Sequence, residues 1–465
     1  MIDYFIIINR QKQRKERLQL QRIQAKNGIA MTVAACLWLG LFPLLQRFSY
    51  ARITLDKWLF MLALCGVTLL CCLIDIICRF TAARRDGNRI PIRSGPLPLL
   101  PLILGGLLLL WVVLSCLLSP YEADIWWIGA SMRREGLATQ LCYLGIFFCF
   151  IFGRVRLKPV LWAACGGVVL FAVVVLLQRH GGNPLGLYPA GRSYALNPEF
   201  QGTIGNIDMD TGYLCLLSGF FLYGGIRQFR VYRQNPSRSA LATVICCAVG
   251  FGISVFLILT MQVQFGVITL SALLLFTLLR LLPKKGRLAA FLLVLVLVLL
   301  VAWFWPGTGG GLWELHEILH GRLRLSFGSN RVAVWLWSLQ LAREQLLFGS
   351  GPDTFVLRFN QYLRDHGLTV PNEQDGVPLP AYFDNPHNEY LSQLLNHGLP
   401  AMLLLILLIA ASVMRKQEGL FPLLSPCSAA VLCYAVQAFF SFPVCLVSPM
   451  FWALLGISFQ LDQNY

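Results

Sequence analysis

Continuous apolar runs close to twenty residues long dominate this chain, and they constrain its fold more than any other feature. Crossing a bilayer's hydrocarbon core takes about twenty apolar residues in a helix. About twelve runs approach that length, at 28–46, 58–78, 97–118, 137–153, 159–177, 209–226, 240–260, 265–282, 288–305, 398–414, 425–441 and 444–460. A backbone surrounded by lipid must satisfy its own hydrogen bonds, so each run is expected to be helical. The runs are continuous rather than alternating, which excludes an outer-membrane barrel. The expected fold class is an all-α polytopic membrane protein with about 12 transmembrane helices and a large extracytoplasmic loop between helices 9 and 10. Its expected parts are a basic arm at 1–27, helices 1–9 at 28–305, the loop at 306–397, and helices 10–12 with a short tail at 398–465.

Composition agrees with that reading. Hydrophobic residues make up 57% of the chain and charged residues only 13%, whereas soluble domains carry about 25% charge. An ordinary cytosolic enzyme is thereby excluded. The net charge of +16 would suggest nucleic acid in a soluble protein, but in a membrane protein it can record orientation. With the N-terminus inside, 25 of the 38 Lys and Arg fall in inner segments and 16 of the 22 Asp and Glu fall outside. The arm alone holds Arg10, Lys12, Arg14, Lys15, Arg17, Arg22 and Lys26. Both termini are therefore expected to be cytoplasmic, in the cytoplasmic (inner) membrane, with no nucleic-acid partner. The basic arm is too long for a cleavable signal peptide, and no small-x-small site follows the first apolar run.

Chemistry is expected on the outer side. All six histidines (His180, His316, His320, His366, His387 and His397) fall there, while the spans offer few polar residues. Asp75, near the inner end of the second span, reads as structural. All 15 cysteines sit in or beside apolar runs, as small hydrophobes do in helix packing. The 92-residue loop 306–397 is too long for a plain connection and is expected to be partly folded and functional. Within it, 312–320 and 331–347 read as amphipathic helices and 366–385 as open loop. His316-Glu317-Ile318-Leu319-His320 matches the H-E-x-x-H spacing of zinc metalloproteases. It has no H-x-x-G-x-x-H extension and stands just outside a span, so a membrane metalloprotease is the minor alternative.

Two loop segments carry more. Arg331 and Trp335 lead into a helix that ends at Gly349-Ser350-Gly351-Pro352-Asp353-Thr354-Phe355. Further on, His387-Asn388-Glu389-Tyr390-Leu391 precedes Gly398-Leu399 at the start of the tenth span. In type and order these elements resemble the O-antigen ligase family of polytopic ligases and polymerases. Arg133-Arg134-Glu135-Gly136-Leu137 and Gly202-Thr203-Ile204-Gly205-Asn206 resemble two further family segments. The resemblance covers roughly 120–400 and is most specific at 329–400. Ile207-Asp208 departs from the second Asn that often follows Gly-Asn in the family, and Met261–Gln264 lacks the family's Ser-Arg.

The resemblance implies transfer of a glycan from a polyprenyl-diphosphate carrier to an acceptor hydroxyl, in a lipid bilayer, without metal or other cofactor. Such a step develops negative charge on the leaving diphosphate, which a fixed guanidinium stabilises. The attacking hydroxyl needs a base that is neutral at physiological pH, and histidine supplies one. His387 is the expected catalytic base. Arg331, Arg133 and Arg192 are expected to meet the diphosphate, and Asn388 and Glu389 to orient His387 or bind sugar hydroxyls. The acceptor would be a glycan, lipid or protein hydroxyl, so ligase, polysaccharide polymerase and protein O-oligosaccharyltransferase share this reading. A lipid-linked glycan flippase is the alternative from a different class. It would require a polar cavity within the spans.

Overall fold

A computed structural model of the chain describes residues 28–47, 49–85, 98–371, 378–415 and 424–460. The arm 1–27 and the tail after 460 lie outside the described residues. Of the described residues, 73% are helical. Its helices are α1 (Ile29–Leu44), α2 (Ile53–Arg85), α3 (Leu99–Leu117), a short α4 (Ala123–Ile128), α5 (Leu137–Phe152), α6 (Leu157–Arg179), α7 (Ile207–Gln234), α8 (Arg238–Met261), α9 (Gln264–Leu281) and α10 (Lys284–Trp303). The region after α10 folds into α11 (Gly310–Leu319), α12 (Arg331–Ala342) and α13 (Phe355–Asp365). A two-stranded antiparallel pair follows, β1 (Thr369–Pro371) with β2 (Pro378–Pro380). Then come α14 (Glu389–Met414), α15 (Pro426–Ala438) and α16 (Ser448–Ser458).

Among the described residues, seven helices are long and apolar enough to cross a membrane: α2, α3, α6, α8, α9, α10 and α14. Helices α1, α5, α15 and α16 are apolar but shorter. The remaining long helix, α7, carries Asp208 and Asp210 in its first turn. It tolerates them because it runs through the middle of the bundle, buried without interruption from Met209 to Phe221. Protein rather than lipid surrounds it. Helix α10 shows the opposite pattern, Leu and Val on every face with only Ala302 buried. It packs against little beyond its neighbours α9 and α11.

Two charges at the edges of apolar runs prove to be internal. Lys57 and Asp210 are completely buried. Helix α1 loses its regular geometry at its end, through a π turn at Leu37–Leu41 and a tight turn at Phe42–Leu44. The tight turn keeps the Leu45 N–H on the Phe42 carbonyl at 3.2 Å and leaves no helical N–H for the Pro43 carbonyl. The Lys57 ammonium donates to both at 2.8 Å, and the Thr203 hydroxyl donates to Pro43 at 2.7 Å. Asp75 does have the structural role expected of it. Its carboxylate accepts the Gly28 N–H at 2.8 Å and pairs with Arg79 at 3.0 Å.

The segment after α10 is more ordered than its sequence suggests. Phe355, Phe359 and Leu363, spaced four apart, are buried along one face of α13. They pack with Ala333, Val334, Trp337 and Leu341 of α12 and with Leu394 and Leu395 of α14, forming a separate apolar core. Part of 366–385, expected as open loop, is the β1–β2 pair.

Close helix approach in membrane bundles relies on small residues. At the α1–α6 contact, a Cβ on Gly167 would lie 2.6 Å from the Gly40 carbonyl oxygen, whereas a Cβ on the adjacent Gly166 would meet nothing within 4 Å. Gly167→Val is expected to destabilise the protein by about 1–3 kcal/mol through overpacking. Gly166→Val, the control at open space, should cost much less. Thermal midpoints of the two variants in detergent check this.

Candidate active site

The site is organised around a break in α14. Gly398 takes φ +85°, and Pro400 follows inside the helix. Proline has no N–H for the carbonyl four residues earlier, so Asn396 C=O is released, and it accepts the Gly351 N–H at 2.8 Å. Leu399 N–H turns to Leu346 C=O, at 2.8 Å, and the freed Leu395 C=O accepts the Ser350 N–H at 3.1 Å. The Gly-x-Gly-Pro turn thus fits onto the exposed carbonyls of the kink. Only glycine suits position 398, since a Cβ there would lie 2.1 Å from the Leu347 carbonyl oxygen. His397, beside the kink, is buried with its Nδ1 at 3.0 Å from the Ser115 hydroxyl.

The same turn holds the segment that carries Arg133. Asp353 accepts from the Ser131 N–H at 3.0 Å and from the Ser131 hydroxyl at 2.7 Å. Burial raises the Asp353 carboxyl to about 6, against the opposing pull of the Ser131 donors. Glu135, two residues beyond Arg133, is buried, and the Tyr143 hydroxyl donates to it at 2.8 Å. Desolvation pushes its carboxyl well above the ordinary carboxylate range.

His387 sits in the turn that starts α14, with φ +48°. Its N–H donates to Asn385 Oδ1 at 2.8 Å, and the Trp335 indole donates to the neighbouring Pro386 carbonyl at 2.9 Å. Trp335 lies one turn after Arg331 on α12, so this bond places the histidine turn beside the start of that helix. The Arg133 guanidinium pairs with Asp384 at 2.6 Å and lies 3.7 Å from the centroid of the Phe442 ring. The His387 ring meets Phe442 edge-on, with centroids 5.5 Å apart. Asp208, at the start of α7, lies within electrostatic reach of both Arg331 and Arg133.

Among the described residues, three polar atoms at this point are buried without a protein partner: Nε of Arg133, Nε of Arg331 and Nδ1 of His387. Buried polar groups are ordinarily paired, and exceptions call for a reason. Burial lowers the His387 pKa to about 4, helped by the positive charges of Arg331 and Arg133 and opposed by Asp384. The imidazole is therefore neutral at pH 7 and faces two cations, an arrangement suited to an anion plus a group that gives up a proton.

The structure brings together three of the expected residues, His387, Arg331 and Arg133. Asn388 and Glu389 adjoin them but serve α14 itself. Asn388 caps the helix by accepting the Leu391 N–H at 3.0 Å, and Glu389 accepts from the Tyr434 hydroxyl at 2.8 Å. Arg192 is exposed, and its guanidinium is 3.4 Å from Asn197 Oδ1 within its own loop. Neither Asp208 nor His387 feels its charge. Sequence reasoning missed Asp208, Asp384 and Phe442 as members of the group. The only signals were a departure after Gly-Asn, an acid three residues before His387, and a presumed break between two spans.

The H-E-x-x-H segment forms the end of α11, with the His316 and His320 rings 4.1 Å apart. Glu317, the base that a metalloprotease would need free, is paired with Arg322 at 2.6 Å and Arg324 at 3.4 Å. Among the described residues, no group of three or more His, Cys, Asp or Glu side chains comes together as a metal site.

Fold and site together define a multi-pass membrane protein whose polar chemistry is gathered at one end of a helical bundle. Residues 237–406, less than half of the chain, match the family model described as O-antigen ligase. The matched segment includes Arg331 and His387; Arg133 and Asp208 are contributed from outside it. No curated protein matches the chain.

Removing either cation should make His387 easier to protonate. In Arg331→Gln and Arg133→Gln the His387 titration is expected to move upward from about 4. The pH dependence of diethyl pyrocarbonate labelling at His387, followed by peptide mass spectrometry, measures it. An unchanged midpoint in both variants would contradict the electrostatic coupling described.

Proposed function

We propose that this protein is a glycosyltransferase of O-antigen ligase type, acting at the outer face of the cytoplasmic membrane with both termini inside. The donor is a glycan on a polyprenyl diphosphate. The observation that carries this reading is the meeting of two guanidiniums and a neutral histidine with unpartnered buried nitrogens at one end of the bundle. Arg331 and Arg133 bind the diphosphate, and the acceptor hydroxyl approaches the anomeric carbon near His387. The acceptor oxygen forms the new glycosidic bond as the bond from that carbon to the diphosphate oxygen breaks. The imidazole takes the hydroxyl proton, and polyprenyl diphosphate leaves with the electron pair, its charge held by the arginines.

The donor also tunes the base. A bound diphosphate offsets the two positive charges that keep His387 reluctant to accept a proton, so the imidazole becomes more basic once the donor is in place. Its pKa then approaches the range in which general bases work best. The acceptor is a hydroxyl on a lipid-borne sugar, a growing glycan or a protein side chain, which are the ligase, polymerase and protein-glycosylating forms of one reaction.

His387→Ala is expected to lower transfer by about 10²–10⁴-fold, the usual contribution of a general base, with expression and donor binding retained. Near-normal turnover of the purified variant on a synthetic lipid-diphosphate glycan would refute the assignment. Arg331→Ala is expected to weaken donor binding as well as turnover, which separates its role from that of His387. In cells, loss of the protein should leave finished glycan on the carrier for a ligase and single repeat units for a polymerase. Mass spectrometry of the envelope lipids reads the difference.

A further inference from the structure

His316-Glu317-Ile318-Leu319-His320 has no part in the transfer reaction, yet its two histidines are held in a definite geometry. They stand one turn apart at the end of α11, half-buried, with ring centroids 4.1 Å apart and planes inclined by 37°. Each ring has its Nδ1 against backbone carbonyl oxygen. His316 Nδ1 is 2.9 Å from the Trp303 carbonyl and 3.1 Å from that of Ala302, and His320 Nδ1 is 2.8 Å from the His316 carbonyl. A carbonyl only accepts, so in the neutral rings both Nδ1 atoms carry the proton and both Nε2 atoms carry a lone pair. The Trp303 ring stacks on His320 with centroids 4.2 Å apart and holds that ring further.

Two neutral imidazoles at positions i and i+4 lie on one face of a helix, where they can share a transition metal. Ligating histidines ordinarily donate the other ring N–H to a carbonyl or carboxylate, which fixes the tautomer and raises the basicity of the ligand. Both rings here already make that outer contact. The neighbouring carboxylates are committed elsewhere: Glu317 pairs with Arg322 and Arg324, and Glu314 accepts the Gly328 N–H at 3.1 Å. The pair is thus an open site, short of the four protein ligands of a structural zinc centre. Nitrogen donors of this kind hold copper(II) more tightly than nickel or zinc, while magnesium and calcium prefer oxygen.

The position of the pair gives a bound ion something to do. Helix α10 buries only Ala302, and the carbonyls that His316 meets are those of Ala302 and Trp303 at the end of that helix. A cation on Nε2 makes the opposite N–H a stronger, charge-assisted donor. We infer that His316 and His320 bind a divalent transition metal ion, copper(II) most tightly, and that the ion clasps the end of α10 to α11. Because Glu317 is held by two arginines, the ion lacks the free carboxylate base that peptide hydrolysis uses. The inference is independent of the transfer reaction proposed above.

The test titrates the full-length protein in detergent with copper(II) sulfate, zinc chloride and magnesium chloride, followed by calorimetry. One equivalent of copper(II) is expected to bind more tightly than zinc, with no uptake of magnesium, and its electron paramagnetic resonance spectrum should show imidazole nitrogen couplings. His316→Asn and His320→Asn each keep a side-chain N–H for the carbonyl and remove Nε2. Each is expected to weaken copper binding by roughly 10–100-fold, the loss that follows even from removing an outer partner. His180→Asn, at an exposed histidine elsewhere, should leave it unchanged. Wild-type affinity in both loop variants, or binding only at millimolar metal, would overturn the site. Hydrogen exchange reads the clasp: copper(II) should slow exchange in peptides between Ala302 and His320 of the wild type and not of the double variant. Tight binding with unchanged exchange would overturn the clasp.

Discussion

The break in α14 is the feature on which the rest of the site depends. A proline inside a helix releases a carbonyl that must find another donor, because an unpaired carbonyl at a buried position costs on the order of 1–3 kcal/mol. Here the kink at Gly398 and Pro400 releases two carbonyls, at Leu395 and Asn396, and both are taken by N–H groups of the turn at Ser350 and Gly351. That exchange, together with the apolar core that α12 and α13 share with Leu394 and Leu395, fixes the loop segment to the bundle. From the same turn, Asp353 reaches the Ser131 backbone and hydroxyl and so sets the position of Arg133. The first half of α14, above the break, carries His387 at its start. One backbone defect therefore sets the relative positions of the base and one of the cations.

The charged group is poised rather than neutralised. Arg133 is partly offset by Asp384 and lies against the Phe442 ring, while the Arg331 guanidinium is 3.5 Å from the Gly328 carbonyl. Partly buried cations of this kind interact more strongly with an incoming anion than exposed ones, because less water screens them. Burial keeps the His387 ring neutral, and the same positive field reinforces it. The folded protein thus brings two guanidiniums and a neutral imidazole together.

Much of this was legible in the sequence, for physical reasons that differ by residue. His387 and Arg331 stand in short local patterns whose turn and helix-start residues are read in order along the chain. Arg133 was legible in the same way, inside Arg-x-Glu-Gly-Leu. Its partner Asp384 is 251 residues away, and nothing local marks either residue as the other's counterpart. Phe442 read as the break between two spans, and only packing shows that its ring carries both Arg133 and His387. Asn388 and Glu389 belong to the right motif, yet their side chains are committed to a helix cap and to Tyr434. A motif shows that a residue is present at the site and leaves open whether its side chain faces the ligand or the fold.

By itself the sequence determined the class of molecule. Apolar length and charge bias are properties of the chain that no folding can alter, and they require helices in a membrane. The family resemblance at 329–400 is likewise a matter of residue order, and the family-model match over 237–406 covers all of it. Tertiary structure decided which helix lies at the centre and which at the edge, since α7 and α10 differ in what surrounds them more than in their length. It also decided which arginines share the histidine's surroundings, because Arg133 comes from before α5, Arg331 from α12 and His387 from the start of α14. Their meeting depends on hydrogen bonds across hundreds of residues, made possible by a helix that breaks where its sequence places glycine and proline.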